Sequence, residues 1–174
     1  MIQNYSRYRI LREFFSYPQK DFQIRGLSRM AKLAQPSVAN HLNALLKENL
    51  IIKEKKGIYS TFRANREDEM FKFYKKMDIL LRFKQTSFLN HIYDLCMPDS
   101  IILFGSASRG EDTEESDIDI FVQSLNKKFS VEKYEKAFNR KITLFFEENF
   151  SRLSKELKNN ILNGIIIRGY LKVF

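Results

Sequence analysis

Apolar positions recur at helical spacing at the start of the chain. Ile10, Leu11, Phe14 and Phe15 fall on one face of residues 6–17, and Pro18 ends the run. Residues 21–25 alternate, with Phe22 and Ile24 apolar, and predict a small strand. A second helix is predicted over residues 27–33. Pro36, whose missing N–H costs nothing in a first helical turn, opens a third over 36–48 with Val38, Leu42, Leu45 and Leu46 inward. Two short runs, 51–54 and 58–63, flank the turn Lys55-Lys56-Gly57 and predict a hairpin. Between 66 and 95 a stripe of Met70, Phe73, Met77, Leu80, Leu81, Lys84, Phe88 and Ile92 predicts one connecting helix or a helix pair. Its Met and Phe positions suit either core or a dimer interface. Residues 100–104 are a buried-strand run ending at Gly105-Ser106, Ala107 to Gly110 suits a first helical turn, and 111–116 reads as a solvated charged loop. A second strand follows over 117–122. The fold class is α+β, divided into residues 1–65, a helical linker 66–97 and a carboxy-terminal domain 98–174.

Charge sharpens this division. The chain carries a formal charge of +9 over its 174 residues. Residues 1–65 hold 12 Lys and Arg against 4 Asp and Glu, whereas residues 99–174 hold 12 of each. A local excess of that size attracts polyanions, nucleic-acid phosphates foremost. Cys96 is the only cysteine, which rules out an intrachain disulfide and suits a reducing cytoplasm. No apolar run reaches the length of about 20 residues that a bilayer span needs, and the first residues lack a signal-peptide pattern. A cytoplasmic protein without membrane association is the expectation.

The amino-terminal order of helix, short strand, helix, turn, helix and basic hairpin resembles the winged helix-turn-helix domain of prokaryotic regulators. The resemblance makes 36–48 the recognition helix and places Ser37, Asn40, His41, Asn43 and Lys47 on its outer face, towards base edges and phosphates. Lys55 and Lys56 become the wing tip, and double-stranded DNA becomes the expected partner of residues 1–65. Winged helices also dock proteins; the basic excess favours DNA. The half-site symmetry of such regulators motivates an expected homodimer.

The chemistry lies further on. Asp117 and Asp119 are two apart on a strand and therefore share a face. Two such carboxylates repel unless a cation lies between them, and Mg²⁺, a hard ion that takes oxygen ligands from carboxylates and phosphates, is the natural choice. His41 and His91 are too few and too far apart for a zinc site.

Gly105-Ser106, ten intervening residues, then Asp117-x-Asp119, together with Arg109-Gly110, resembles the signature of the DNA polymerase beta nucleotidyltransferase superfamily and of its minimal nucleotidyltransferases. Residues 140–146 resemble that family's third core strand and residues 157–167 its carboxy-terminal helix. The resemblance implies a polymerase-beta-like αβ fold and a nucleoside triphosphate, ATP foremost, held by Gly105 and Ser106 with Arg109 as a weaker phosphate contact. It also implies two Mg²⁺ sites on Asp117 and Asp119, and nucleotidyl transfer onto a hydroxyl. Antitoxins that modify a partner toxin occur among such enzymes, so a protein acceptor or toxin partner is implied as well. One position departs from the pattern. Thr143 stands where the family carries a third carboxylate, and a hydroxyl is a poorer base and ligand, so the second metal is expected to be weakly held. Glu147, four residues further on, is too distant to substitute. Two readings follow: a transferase, or a transcriptional regulator whose impaired nucleotidyltransferase domain senses a nucleotide.

Overall fold

Helix α1 (Ser6–Ser16) forms where the apolar spacing predicts, burying Ile10, Leu11, Phe14 and Phe15. The computed structural model describes residues 5–56 and 59–174. The short strand predicted over 21–25 is reduced to one bridge, Phe22 paired antiparallel with Phe62. Ile24 already begins α2 (Ile24–Ala31). That helix stops before Leu33 because Lys32 turns left-handed at φ 50°, and the Leu33 N–H then closes on the Ser28 carbonyl. Helix α3 (Gln35–Lys47) carries Pro36 in its first turn and buries Val38, Leu42 and Leu45. Strands β1 (Ile51–Lys56) and β2 (Tyr59–Ala64) pair antiparallel from Ile51 opposite Ala64 to Lys56 opposite Tyr59. Gly57, the predicted turn glycine, and the Lys56 side chain lie outside the described residues. One core joins the three helices and the hairpin, with Phe14 edge-on to Phe22 at 5.0 Å.

The long stripe resolves into a helix pair, α4 (Glu69–Gln85) and α5 (Phe88–Cys96). The chain divides into two compact units, Met1–Lys75 and Lys76–Phe174, so the boundary falls inside α4. Four residues of the predicted stripe do not serve as core: Met70, Phe73 and Met77 are each about half exposed, and Lys84 is exposed. Phe71 packs on Phe15 with ring centroids 5.3 Å apart, which leaves Met70 and Phe73 on other faces of the helix.

The second unit is built on a four-stranded sheet of order β5-β4-β3-β6, with β3 (Ser100–Phe104), β4 (Ile118–Val122), β5 (Ile142–Phe146) and β6 (Ile165–Gly169). Strand β3 is buried along its whole length because it is central and covered on both faces. It runs antiparallel to β4 and β6, whereas β4 and β5 are parallel and joined through α7 (Glu132–Phe138). Strand alternation divides the side chains. Ile101, Leu103, Ile118, Ile120 and Val122 pack with Phe83, Phe88, Ile92, Tyr134 and Phe138 of α4, α5 and α7. Ile102, Phe104 and Phe121 form the opposite core with Phe150 and with Ile161 of α8 (Lys155–Leu162).

The predicted helix over 157–167 is therefore corrected. Helix α8 ends at Leu162, and residues 165–169 are strand β6. Gly164 makes the reversal possible, since a Cβ there would lie 2.6 Å from the Leu103 carbonyl oxygen. Among the described residues no helix is long and apolar enough to cross a membrane.

Candidate active site

The site forms where β3 ends and β4 begins. Phe104, the last residue of β3, is in register with Asp119 of β4. The chain then bends at Gly105, φ +71°, into the short helix α6 (Gly105–Arg109), which stops at Gly110 with φ 75°. Gly105 is required twice over. A side chain would be strained at that φ, and its Cβ would lie 2.6 Å from Asp119 Oδ2. The turn backbone and the carboxylate are in direct contact as a result. The N-cap residue Phe104 makes no side-chain cap hydrogen bond to the first turn of α6.

Asp117 lies one residue before β4 rather than within it. It shares strand parity with Asp119, and both stand on the sheet face of Phe121, opposite the face filled by Ile118, Ile120 and Val122. Thr143 is the parallel-register partner of Asp119. Its hydroxyl donates to Asp117 Oδ2 over 3.1 Å, and Lys141 Nζ lies 3.8 Å from the same oxygen. Burial, and secondarily the charge of Asp117, push the Asp119 carboxyl above the usual aspartate range. A cation between the two carboxylates would relieve both effects.

The donor set suits a hard divalent ion sharing its coordination with phosphate oxygens. Among the described residues no group of three or more His, Cys, Asp or Glu side chains is arranged to hold a metal. The protein therefore offers two carboxylates and a hydroxyl, with nothing acidic at the third position.

Arg109 is occupied at its own turn. Its Nη1 donates to the Gly105 carbonyl over 3.1 Å and its Nε to Glu111 over 2.7 Å, so it braces the bend as it stands beside Ser106. The charged pattern of 111–116 predicts a solvated loop, yet Asp112 is buried in an ion pair with Arg140. Arg140 Nη1 also donates to the Ser116 carbonyl over 3.1 Å, and the Ser116 hydroxyl accepts from the Thr113 N–H over 2.9 Å. These contacts fix the approach to Asp117. Arg140, Asp112 and Lys141 are the site residues that sequence reasoning passed over.

Residues 84–166 match the family model of the nucleotidyltransferase domain. No curated protein and no solved structure matches the chain. The matched span takes in β3, β4, β5 and the first two residues of β6, and brackets Gly105, Ser106, Arg109, Asp117, Asp119 and Thr143.

In the first unit, α3 turns its buried stripe inward and leaves Asn40, Asn43 and Lys47 exposed, with Ser37 and His41 half-buried. Lys55 is exposed on β1.

Proposed function

We propose that the nucleotidyltransferase domain binds a magnesium-bound nucleoside triphosphate, ATP in the first instance, and transfers its nucleotidyl group to a hydroxyl on a protein acceptor, a partner toxin among the possibilities. The observation that carries this reading is the contact of Gly105 with Asp119. It brings a glycine backbone turn, suited to phosphate oxygens, against a carboxylate able to hold a cation. Asp117 and Asp119 would hold the ion, which supplies charge neutralisation to the triphosphate and the departing pyrophosphate. The chain's own residues do the rest. Gly105 admits the phosphates close to the backbone, Arg109 holds the bend, Thr143 orients Asp117, and the Arg140–Asp112 pair fixes the loop. In the transfer the acceptor oxygen bonds to the α-phosphorus, the bond to pyrophosphate breaks, and the hydroxyl proton is released. Labelled ATP, Mg²⁺ and candidate acceptors should yield a labelled acceptor, and Asp117→Ala or Asp119→Ala should abolish the label. A label that persists in both variants would remove the reading.

The first unit is read as a winged helix-turn-helix that binds double-stranded DNA as a homodimer. Helix α3 serves as recognition helix through Ser37, Asn40, His41, Asn43 and Lys47, and the hairpin with Lys55 and Lys56 lies against phosphates. The basic excess of residues 1–65 and the exposed polar face of α3 support it. The protein is then a cytoplasmic transcriptional regulator.

A second reading of the catalytic unit rests on Thr143. With a hydroxyl opposite Asp119 in place of an acid, the domain binds the nucleotide without efficient turnover and reports it to DNA. Here ATP changes DNA affinity while no labelled product forms; equal affinity with and without ATP overturns it.

A further inference from the structure

We infer that Thr143 and Lys141 confine the site to a single divalent cation, by taking up the Asp117 oxygen that a second cation would need. The inference rests on the reading of this site as a magnesium–nucleotide site and specifies how many ions it accepts.

The geometry is local and one-sided. Asp117 Oδ2 accepts the Thr143 hydroxyl at 3.1 Å and faces the Lys141 ammonium at 3.8 Å. Asp119 Oδ2 is packed against the Gly105 backbone, on the side of the phosphate turn. The remaining carboxylate oxygens can hold one ion whose other ligands come from phosphate and water, as magnesium commonly does. A second ion has no further acid to share, since among the described residues no third His, Cys, Asp or Glu side chain joins the pair in a group that could hold a metal. It would also stand beside the Lys141 ammonium, which lies 3.8 Å from Asp117 Oδ2. Two carboxylates neutralise one divalent ion; with Lys141 present, a second would be left without a counter-charge from the protein. Thr143 and Lys141 are thus positioning residues that act through Asp117.

The test counts bound ions. The full chain is dialysed against Mn²⁺ and a non-hydrolysable ATP analogue, and bound Mn²⁺ and nucleotide are measured per chain by electron paramagnetic resonance and absorbance. One Mn²⁺ per bound nucleotide is expected in the wild type and two in Thr143→Asp, whose added carboxylate is in register with Asp119. Lys141→Ala, a substitution at a largely exposed side chain that keeps the fold, should retain one ion and bind it about two- to fivefold more tightly, as removal of one exposed charge contact allows. Two ions in the wild type overturn the inference and leave the nucleotide site standing. A single ion in a folded Thr143→Asp variant, or unchanged affinity in Lys141→Ala, also overturns it. No bound Mn²⁺ in the wild type overturns the underlying reading itself.

Discussion

Gly105 and Asp119 interlock: the Asp119 carboxylate occupies the space in which a side chain at position 105 would begin, 2.6 Å from Oδ2. Even one methyl group must therefore displace the carboxylate while forcing an L-residue to hold φ near +71°. Gly105→Ala should destabilise the protein by about 1 to 3 kcal/mol through that strain. Nucleotide binding should fall more steeply than stability, because the turn and the acid move together. Thermal melts and calorimetric titration with an ATP analogue check this; unchanged melting and binding would show that the bend tolerates a side chain.

The Asp119 carboxyl titrates above the usual aspartate range, through burial first and the Asp117 charge second. Between the unfolded and the raised folded pKa the native state binds more protons than the unfolded one, so stability falls as pH rises through that window. The cost of the buried charge is fully present above the folded pKa and absent below the unfolded pKa. Asp119→Asn should accordingly melt higher than the wild type at neutral pH, with the difference vanishing in acid. Added Mg²⁺ should narrow the neutral-pH gap by stabilising the wild type alone. Melting curves across pH, with and without Mg²⁺, measure both effects; a gap that widens in acid contradicts the assignment.

Much of this site was legible because its parts are close in sequence. An apolar run, a glycine turn and an Asp-x-Asp pair carry their own periodicities, and β3, α6 and β4 form close to where those periodicities put them. The carboxy-terminal end misled, because Leu157 and Ile161 extend a helical spacing into Ile165. Asn163-Gly164 was the punctuation that should have ended the helix, and the three isoleucines after it favour a strand. The outward turn of Met70 and Phe73 could not be read locally, since Phe71 between them packs on Phe15, far upstream. The same holds for Arg140 and Asp112, 28 residues apart, and for Thr143 and Asp117, 26 apart. Only the folded sheet brings these side chains together.

Arg140 and Asp112 are both almost fully buried, and each neutralises the other where water cannot. Removal of Arg140 takes from the buried Asp112 carboxylate the guanidinium paired with it, at a cost of about 3 to 5 kcal/mol. Arg140→Met should therefore lose about that much in chemical denaturation and release the loop over 111–116, seen as faster amide exchange. Asp112→Asn combined with Arg140→Met should cost less than the two single changes together, because both charges of the pair leave at once. Additive losses would mean that the pair does not act as a unit.

On α3, Lys47 and Asn43 are both exposed but differ in what they can read. An ammonium neutralises a phosphate regardless of sequence, whereas a carboxamide can pair with an adenine edge. With a binding sequence first selected from random duplexes, Lys47→Ala should weaken binding to that site and to unrelated DNA alike, and lower the slope of log affinity against log salt by about 1. Asn43→Ala should leave the slope intact and cost about 1 to 3 kcal/mol on the selected site only. Fluorescence anisotropy over a salt series separates the two. If neither change affects binding, α3 is not the helix that meets DNA, and the basic excess of residues 1–65 must act through another face.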